Sequence, residues 1–72
     1  MTIMNINIFL KLGLKLGDEI HIIDERGEGW TGIYHGLFIP LKETFNFHNY
    51  SNGKNSTIEV KKLQTITIRK RA

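Results

Sequence analysis

Three histidines are the side chains of this 72-residue chain best suited to hold a metal ion or to transfer a proton: His21, His35 and His48. They would meet if the segments that carry them are neighbouring strands. Their spacing follows neither an H-x-H nor an H-x-x-x-H pattern, and the chain has no cysteine. We therefore interpret them as ordinary strand-surface histidines, and predict no metal and no cofactor.

Carboxylates are the second group that could do chemistry, because a pair of them can catalyse hydrolysis. Five acidic residues lie at or beside predicted turns, where acids accept hydrogen bonds from the backbone and no pocket is implied: Asp18, Glu19, Asp24, Glu25 and Glu28. No glycine-rich phosphate loop precedes a helix. The sequence predicts a protein that is not an enzyme.

Basic and aromatic side chains make a stronger case for a binding surface. Residues 54–72 hold six basic side chains and one acidic one, whereas residues 1–53 hold four and six. Lysine and arginine bind phosphates, and exposed aromatic rings stack on nucleobases. The candidate nucleic-acid-binding residues are Lys54, Lys61, Lys62, Arg69, Lys70, Arg71, Trp30, Tyr34, His48 and Tyr50.

Two alternatives to this surface remain open. The four aromatic candidates point outward if Ile33, Leu37, Phe45 and Phe47 face inward, but Trp30 and Tyr34 could equally fill the core. The basic side chains could simply be solvated.

The segment that must position these side chains is residues 17–39, which predicts a β-hairpin. Strands at 19–24 and 30–39 flank a turn at 25–29, whose two glycines allow the positive φ angles of hairpin connections. Gly32 and Gly36 predict a strongly bent second strand.

Further strands are predicted at 44–50, 56–61 and 65–69, separated by the Asn52-Gly53 turn and by a one-turn connection at residues 62–63. Residues 69–72 are predicted to form a frayed basic tail. In residues 4–16, apolar and other side chains alternate, which favours a strand, while a short helix over 6–12 is the alternative. Charges and asparagines interrupt this stretch, so we predict neither a signal peptide nor a membrane anchor.

A chain of 72 residues predicts one domain, residues 1–72, with a small core. The fold class predicted is all-β: a small, strongly bent barrel of five to six strands, closed to remove exposed edges, with little or no helix beyond the N-terminal turn. The absence of cysteine is compatible with a cytoplasmic protein. Abundant isoleucine, asparagine and lysine suggest a bacterial or phage source with AT-rich coding.

Two stretches resemble Sm-like proteins. Residues 17–22 (GDEIHI) followed by 32–36 (GIYHG) are similar to that family's first strand and bent glycine-containing strand, and residues 58–68 (IEVKKLQTITI) are similar to its final strand pair, joined by a one-turn helix. Tudor-like and KOW-like small barrels share this hydrophobic skeleton. The resemblance implies a small barrel that binds RNA and assembles into rings.

The RNA-binding residues of the family are largely missing. Residues 37–40 (LFIP) contain no aspartate, only Asn46 could stand in for the family's asparagine, and the Ile-Arg-Gly of its second motif is absent. The sequence therefore predicts a cytoplasmic, non-enzymatic small barrel that binds nucleic acid, RNA or DNA, and that could have a regulatory role. The alternative is a protein-interaction module, or a phage or mobile-element factor that binds a host protein, which could form a homo-oligomer through its edge strands.

Overall fold

The computed structural model describes residues 4–72. It is mostly β-structure with one short α-helix, which confirms the all-β prediction. The elements, in chain order, are α1 (Ile6–Lys11), β1 (Glu19–Asp24), β2 (Gly29–Ile39), β3 (Thr44–Asn49), β4 (Lys54–Glu59), the 3-10 turn η1 (Val60–Lys62) and β5 (Leu63–Lys70).

The five strands form one antiparallel sheet in the order β4-β3-β2-β1-β5. The prediction of a closed barrel was wrong, because within residues 4–72 the two outermost strands, β4 and β5, do not pair with each other. The chain passes through the three-residue η1 from β4 at one edge of the sheet to β1 at the other side, because Leu63, the first residue after η1, already pairs with Asp24. Within residues 4–72, the second edge of β5 and the outer edge of β4 stay unpaired.

The N-terminal segment is a helix over residues 6–11, so the prediction of a strand was wrong and the helical alternative is confirmed. The side chain of Asn5 accepts a hydrogen bond from the Asn7 N–H and caps the first turn. Phe9 is buried, whereas Ile8 and Leu10, which a strand would have turned inward, are more than half exposed. A helix buries Phe9 on one face and leaves Ile8 and Leu10 exposed, and this burial explains why the segment is helical rather than extended.

Of the two orientations of β2 that the sequence left open, the structure shows the one that puts Tyr34 in the core, and Phe45 and Phe47 face inward as predicted. Tyr34 is only 7% exposed and its ring lies 5.4 Å from that of Phe45, while Leu37 is 73% exposed and Ile33 is partly exposed. Gly32 determines which alternate side chains of β2 face the core, because a Cβ at this position would collide with the His48 carbonyl and the Phe47 ring. Only glycine allows β2 and β3 to approach so closely.

Side-chain carboxylates and amides hold the predicted turns. The Asp24 carboxylate accepts hydrogen bonds from the N–H groups of Arg26 and Glu28, and the Asn49 side chain accepts one from Ser51. Burial works to raise the pKa of Asp24, but the two N–H donors outweigh it, so this pKa lies below its ordinary value.

The C-terminal residues are held in place rather than frayed, so that prediction was also wrong. Arg69 and Lys70 belong to β5, and the buried Asp18 carboxylate accepts hydrogen bonds from the Ala72 N–H (2.9 Å) and from Arg71 Nη1 (3.0 Å). The Lys15 N–H also donates to Asp18, at 2.9 Å. These N–H donors, with Ala72 and Lys15 ahead of the Arg71 guanidinium, lower the pKa of Asp18.

Candidate nucleic-acid interface

One side of the sheet covers the core, and the other, here called the outer face, carries polar and aromatic side chains. The pairing register places Glu19, Ile33 and His48 side by side across β1, β2 and β3, with Asn55 of β4 beyond His48. Because alternate residues of a strand share a face, His35 joins the same side. The outer face is defined here by Glu19, Ile33, His35, His48, Tyr50, Asn55 and Arg69.

Three aromatic rings form a row on this outer face. The rings of His35 and His48 stack with 5.7 Å between centroids and an interplanar angle of 18°. Tyr50 meets His48 edge to face at 6.3 Å and is 50% exposed. The row can offer flat π surfaces to a planar ligand.

Hydrogen bonds fix the orientation of these rings. His48 Nδ1 donates to Asn55 Oδ1 at 2.8 Å, which leaves Nε2 as an acceptor in the neutral ring. The Tyr50 hydroxyl donates to Glu19 Oε1 at 3.0 Å. Partial burial, with this hydrogen bond and the Glu19 charge, raises the pKa of Tyr50, so its hydroxyl remains a donor at neutral pH.

Glu19 connects the aromatic row to the basic end of β5. Its second carboxylate oxygen lies 3.7 Å from Arg69 Nε, and Lys70 is its partner in the β1–β5 register. A groove of about 340 Å³ opens here, lined by Gly17, Glu19, Ile33, Tyr50, Lys70, Arg71 and Ala72. An aromatic ring and two cationic side chains thus border one concave surface.

The ten predicted site residues do not form one surface. His48 and Tyr50 lie on the outer face, which Arg69 shares, Lys70 borders the same groove as Tyr50, and Lys54 begins β4 opposite Asn49. Arg71 borders the same groove, but its guanidinium is occupied by Asp18 and by the carbonyls of Gly13 and Leu12.

The remaining candidates lie elsewhere. Tyr34 is in the core, which removes it from the surface, and burial raises its pKa. Trp30 is partly buried against the core and borders a second groove, of about 240 Å³, together with Lys62, Asp24 and Glu59. Lys62 also makes an ion pair with Glu59 at 3.7 Å, and Lys61 lies beside it in η1.

His35 is the member of the row that sequence reasoning missed as a binding residue. The alternation of β2 places His35 on the same side as Ile33, and that signal was readable. Its stacking on His48 depends on the β2–β3 register, which is irregular between Tyr34 and Gly36. Gly36 predicted a bend in this strand, but not the size of the register shift or which side chains it would bring together.

Metal binding and membrane spanning find no support in the part of the chain that the structure describes. Among residues 4–72, no three histidine or acidic side chains are grouped so as to hold a metal ion. Within that range, no helix combines the length and the apolar character needed to cross a bilayer. Comparison with protein-family models, with curated proteins and with solved structures found nothing that matches this chain.

Proposed function

We propose that this protein binds single-stranded nucleic acid on its outer face. The observation that carries the proposal is the row formed by His35, His48 and Tyr50, fixed by hydrogen bonds and adjoining a groove that Lys70 borders. Bases stack on exposed aromatic rings whatever their sequence, while lysine and arginine follow the phosphates. This combination of flat rings and adjacent cations suits an unpaired strand better than a duplex.

Each side chain has a distinct role in this proposal. Tyr50 and His48 receive bases, and the Nε2 atom of His48 can accept a hydrogen bond from an exocyclic amine. Lys70 and Arg69 contact phosphates, and Arg69 must loosen its ion pair with Glu19 to do so. Glu19 orients Tyr50 and repels the ligand's charge, so it limits affinity.

The most direct experiment is fluorescence anisotropy with labelled oligothymidylate and oligouridylate of roughly twelve nucleotides, a length within the usual site size. Tyr50→Ala should weaken binding roughly 5- to 150-fold, because stacking contributes about 1–3 kcal/mol per base. Tyr50→Phe keeps the ring and should bind like the wild type. Two phosphate contacts predict a log–log salt slope of about −1.4.

A matched pair of charge reversals separates this site from general electrostatic attraction. Lys70→Glu and Lys61→Glu change the net charge equally, but only Lys70 borders the groove beside Tyr50. The proposal requires Lys70→Glu to weaken oligonucleotide binding at least tenfold more than Lys61→Glu does. Equal effects, or no binding by the wild type at low salt, would overturn it.

We also propose that the fold is of the Sm-like type. The one-turn helix that the resemblance implies between the last two strands corresponds to η1, and the glycine-containing strand corresponds to β2, which is irregular at Gly36. These correspondences support the proposal. An experimental structure of this protein would test it: five strands in the order β4-β3-β2-β1-β5 that superpose on those of an Sm-like structure would support the proposal, and strands that do not superpose would contradict it.

A second candidate function is assembly through strand edges. Within residues 4–72, β4 and β5 each leave one edge without a partner strand, and the first four residues of β4 are exposed. Such edges can pair with another strand. Light scattering at several protein concentrations tests this: a constant mass equal to one chain contradicts it.

A further inference from the structure

A second surface lies at the far end of β2 and beside α1, and it is apolar. It is called here the apolar end and is defined by Leu10, Leu16, Leu37, Phe38, Ile39 and Leu41. Leu41 is 95% exposed, Leu37 73%, Leu16 69% and Leu10 57%. Isolated exposed leucines are ordinary, but a cluster of this kind usually marks an interaction site.

Most members of this surface are neighbours in space, whereas Leu41 is placed by its position in the chain, two residues after Ile39, and is almost fully exposed. Phe38 packs on Phe9 of α1, with 5.1 Å between ring centroids, and shares a groove with Leu10. A Cβ at Gly36 would lie 3.7 Å from Leu16 Cδ1, which places Leu16 beside the residue that precedes Leu37. The two chain segments therefore form one continuous apolar surface.

Phe38 separates two grooves on this surface. The larger, about 320 Å³, is lined by Leu37, Phe38, Ile39, Thr44, Asn46 and Thr57. The smaller, about 120 Å³, is lined by Phe9, Leu10, Gly13, Leu14, Tyr34 and Phe38. Each is large enough to admit part of an apolar side chain, and their position on either side of one ring favours an occupant with two such side chains.

The backbone at this surface is strained at Leu37, whose own side chain gains no burial in return, although its neighbour Phe38 packs on Phe9. Gly36 and Leu37 both have positive φ, 75° and 50°, and Glu43 follows with 55°. A left-handed conformation costs a leucine about 1–2 kcal/mol, and Leu37 recovers little of that because its side chain is exposed. Such departures from local preference, when packing does not explain them, cluster at functional sites.

The charges around the apolar end indicate what would cover it. Lys11, Lys15 and Lys42 adjoin Leu10, Leu16 and Leu41 in the chain, and within residues 4–72 none of these lysines makes an ion pair. Glu43, next to Lys42, is an acidic side chain in the same turn, so the border of the apolar grooves carries three lysines and one glutamate and is cationic overall. Its complement has apolar side chains flanked by carboxylates.

We propose that the apolar end binds an acidic amphipathic segment of a partner protein, with one apolar side chain in each groove beside Phe38 and carboxylates near the lysines. A second copy of this chain does not supply that chemistry, since its exposed acidic turn, residues 25–28, has no apolar side chain. A bilayer surface has no side chains to enter two concave grooves. The proposal is independent of nucleic-acid binding on the outer face.

Two synthetic helical peptides of about fourteen residues, or four turns, provide the probe. Both carry leucines on one face, and the other face carries glutamates in one peptide and lysines in its counterpart. Calorimetric titration should show the acidic peptide binding at least tenfold more tightly than the basic one. Leu41→Asp should reduce the acidic peptide's affinity by at least tenfold, and the 95% exposure of Leu41 means that the fold should survive.

Ile8→Asp is the matched control. It introduces the same charge at an exposed α1 position about 200° around the helix from Leu10, so affinity should fall no more than twofold. Equal binding of both peptides, or an unchanged affinity in Leu41→Asp, would overturn the proposal. Absence of peptide binding would also overturn the proposal. Binding of phosphatidylserine vesicles would then indicate that this surface binds a membrane. A dimer that is seen by light scattering and abolished by Leu41→Asp would instead indicate self-association.

Discussion

The outer face and the apolar end are two exposed surfaces of one small sheet, and they differ in how far the chain itself completes them. On the outer face, the polar groups of His48 and Tyr50 find partners within the protein, in Asn55 and Glu19. At the apolar end, leucines remain in water and Leu37 adopts a disfavoured backbone conformation. The first surface is preorganised for a ligand, whereas the second is completed only when something covers it.

The largest effect is expected from Gly32→Ala, because both surfaces depend on the close approach of β2 and β3. The added Cβ would meet the His48 carbonyl and the Phe47 ring, which lies 2.9 Å away. We expect a loss of about 3 kcal/mol or more, comparable with the whole stability of so small a domain. Urea unfolding measures it.

Gly53→Asn is the control for that substitution. Gly53 also has positive φ, 67°, but a Cβ there meets nothing within 4 Å, and asparagine tolerates this conformation. Its stability should change by less than about 0.5 kcal/mol. If Gly32→Ala kept the fold and lost only one binding activity, the two surfaces would not share the scaffold described here.

The second-largest effect on stability is expected from Asp18. Its carboxylate links the segment beside the apolar end to the segment beside the outer face. It binds the N–H of Lys15 and the guanidinium of Arg71. Its folded pKa is lowered, so its contribution is present above the unfolded pKa, near 4, and is lost as pH falls through the folded pKa. Thermal unfolding between about pH 2 and 7 should show stability falling on acidification below about pH 4.

Asp18→Asn should be less stable than the wild type at pH 7 and should have a flatter pH profile. Asp24, whose pKa is also lowered, provides the comparison, since Asp24→Asn should remove a separate part of the same dependence. An Asp18→Asn profile parallel to that of the wild type would show that this carboxylate does not link the two segments.

Leu37→Asn should raise the stability of the fold and weaken binding of the acidic peptide at the apolar end. Asparagine accepts the left-handed conformation, so stability should rise by about 0.5–1 kcal/mol. The acidic peptide should bind more weakly, because the larger groove loses an apolar wall. Chemical denaturation and peptide titration on the same sample measure both, and a loss of stability would mean that Leu37 serves the fold.

The smallest effect is expected from Glu19→Gln. Removing one negative charge about 7 Å from a bound phosphate contributes about 0.6 kcal/mol in a water-like dielectric, or an oligonucleotide affinity two to three times higher. Peptide binding at the apolar end should not change. Weaker oligonucleotide binding would show that orienting Tyr50 and Arg69 matters more than the charge.

Much of the sheet could be predicted because its signals are local. The bounds of β1, the turn held by Asp24 and the Asn52-Gly53 hairpin follow from patterns only a few residues long. The helix was only the alternative prediction because residues 4–16 satisfy two periods at once, and packing of Phe9 on the core decides between them. Local pattern identified the elements but not which face each would bury.

The candidate site was less predictable because its contacts are distant in sequence. Tyr50 and Glu19 are 31 residues apart, and Arg71 and Asp18 are 53 apart. The exposure of Leu37 follows from left-handed backbone at residues 36–37, which a leucine gives no reason to expect. Pairing register and backbone irregularity, rather than residue type, determined which side chains meet.

An amide NMR titration with unlabelled oligothymidylate tests the central claim, that the outer face and the apolar end bind different partners. The account predicts chemical-shift changes at His35, His48, Tyr50 and Lys70 as the oligonucleotide is added, with Leu41 and Lys61 unaffected. Addition of the acidic peptide to the same sample should then shift Leu41 without displacing the oligonucleotide. Oligonucleotide-induced shifts centred on Leu41 or Lys61, or displacement of one ligand by the other, would contradict it.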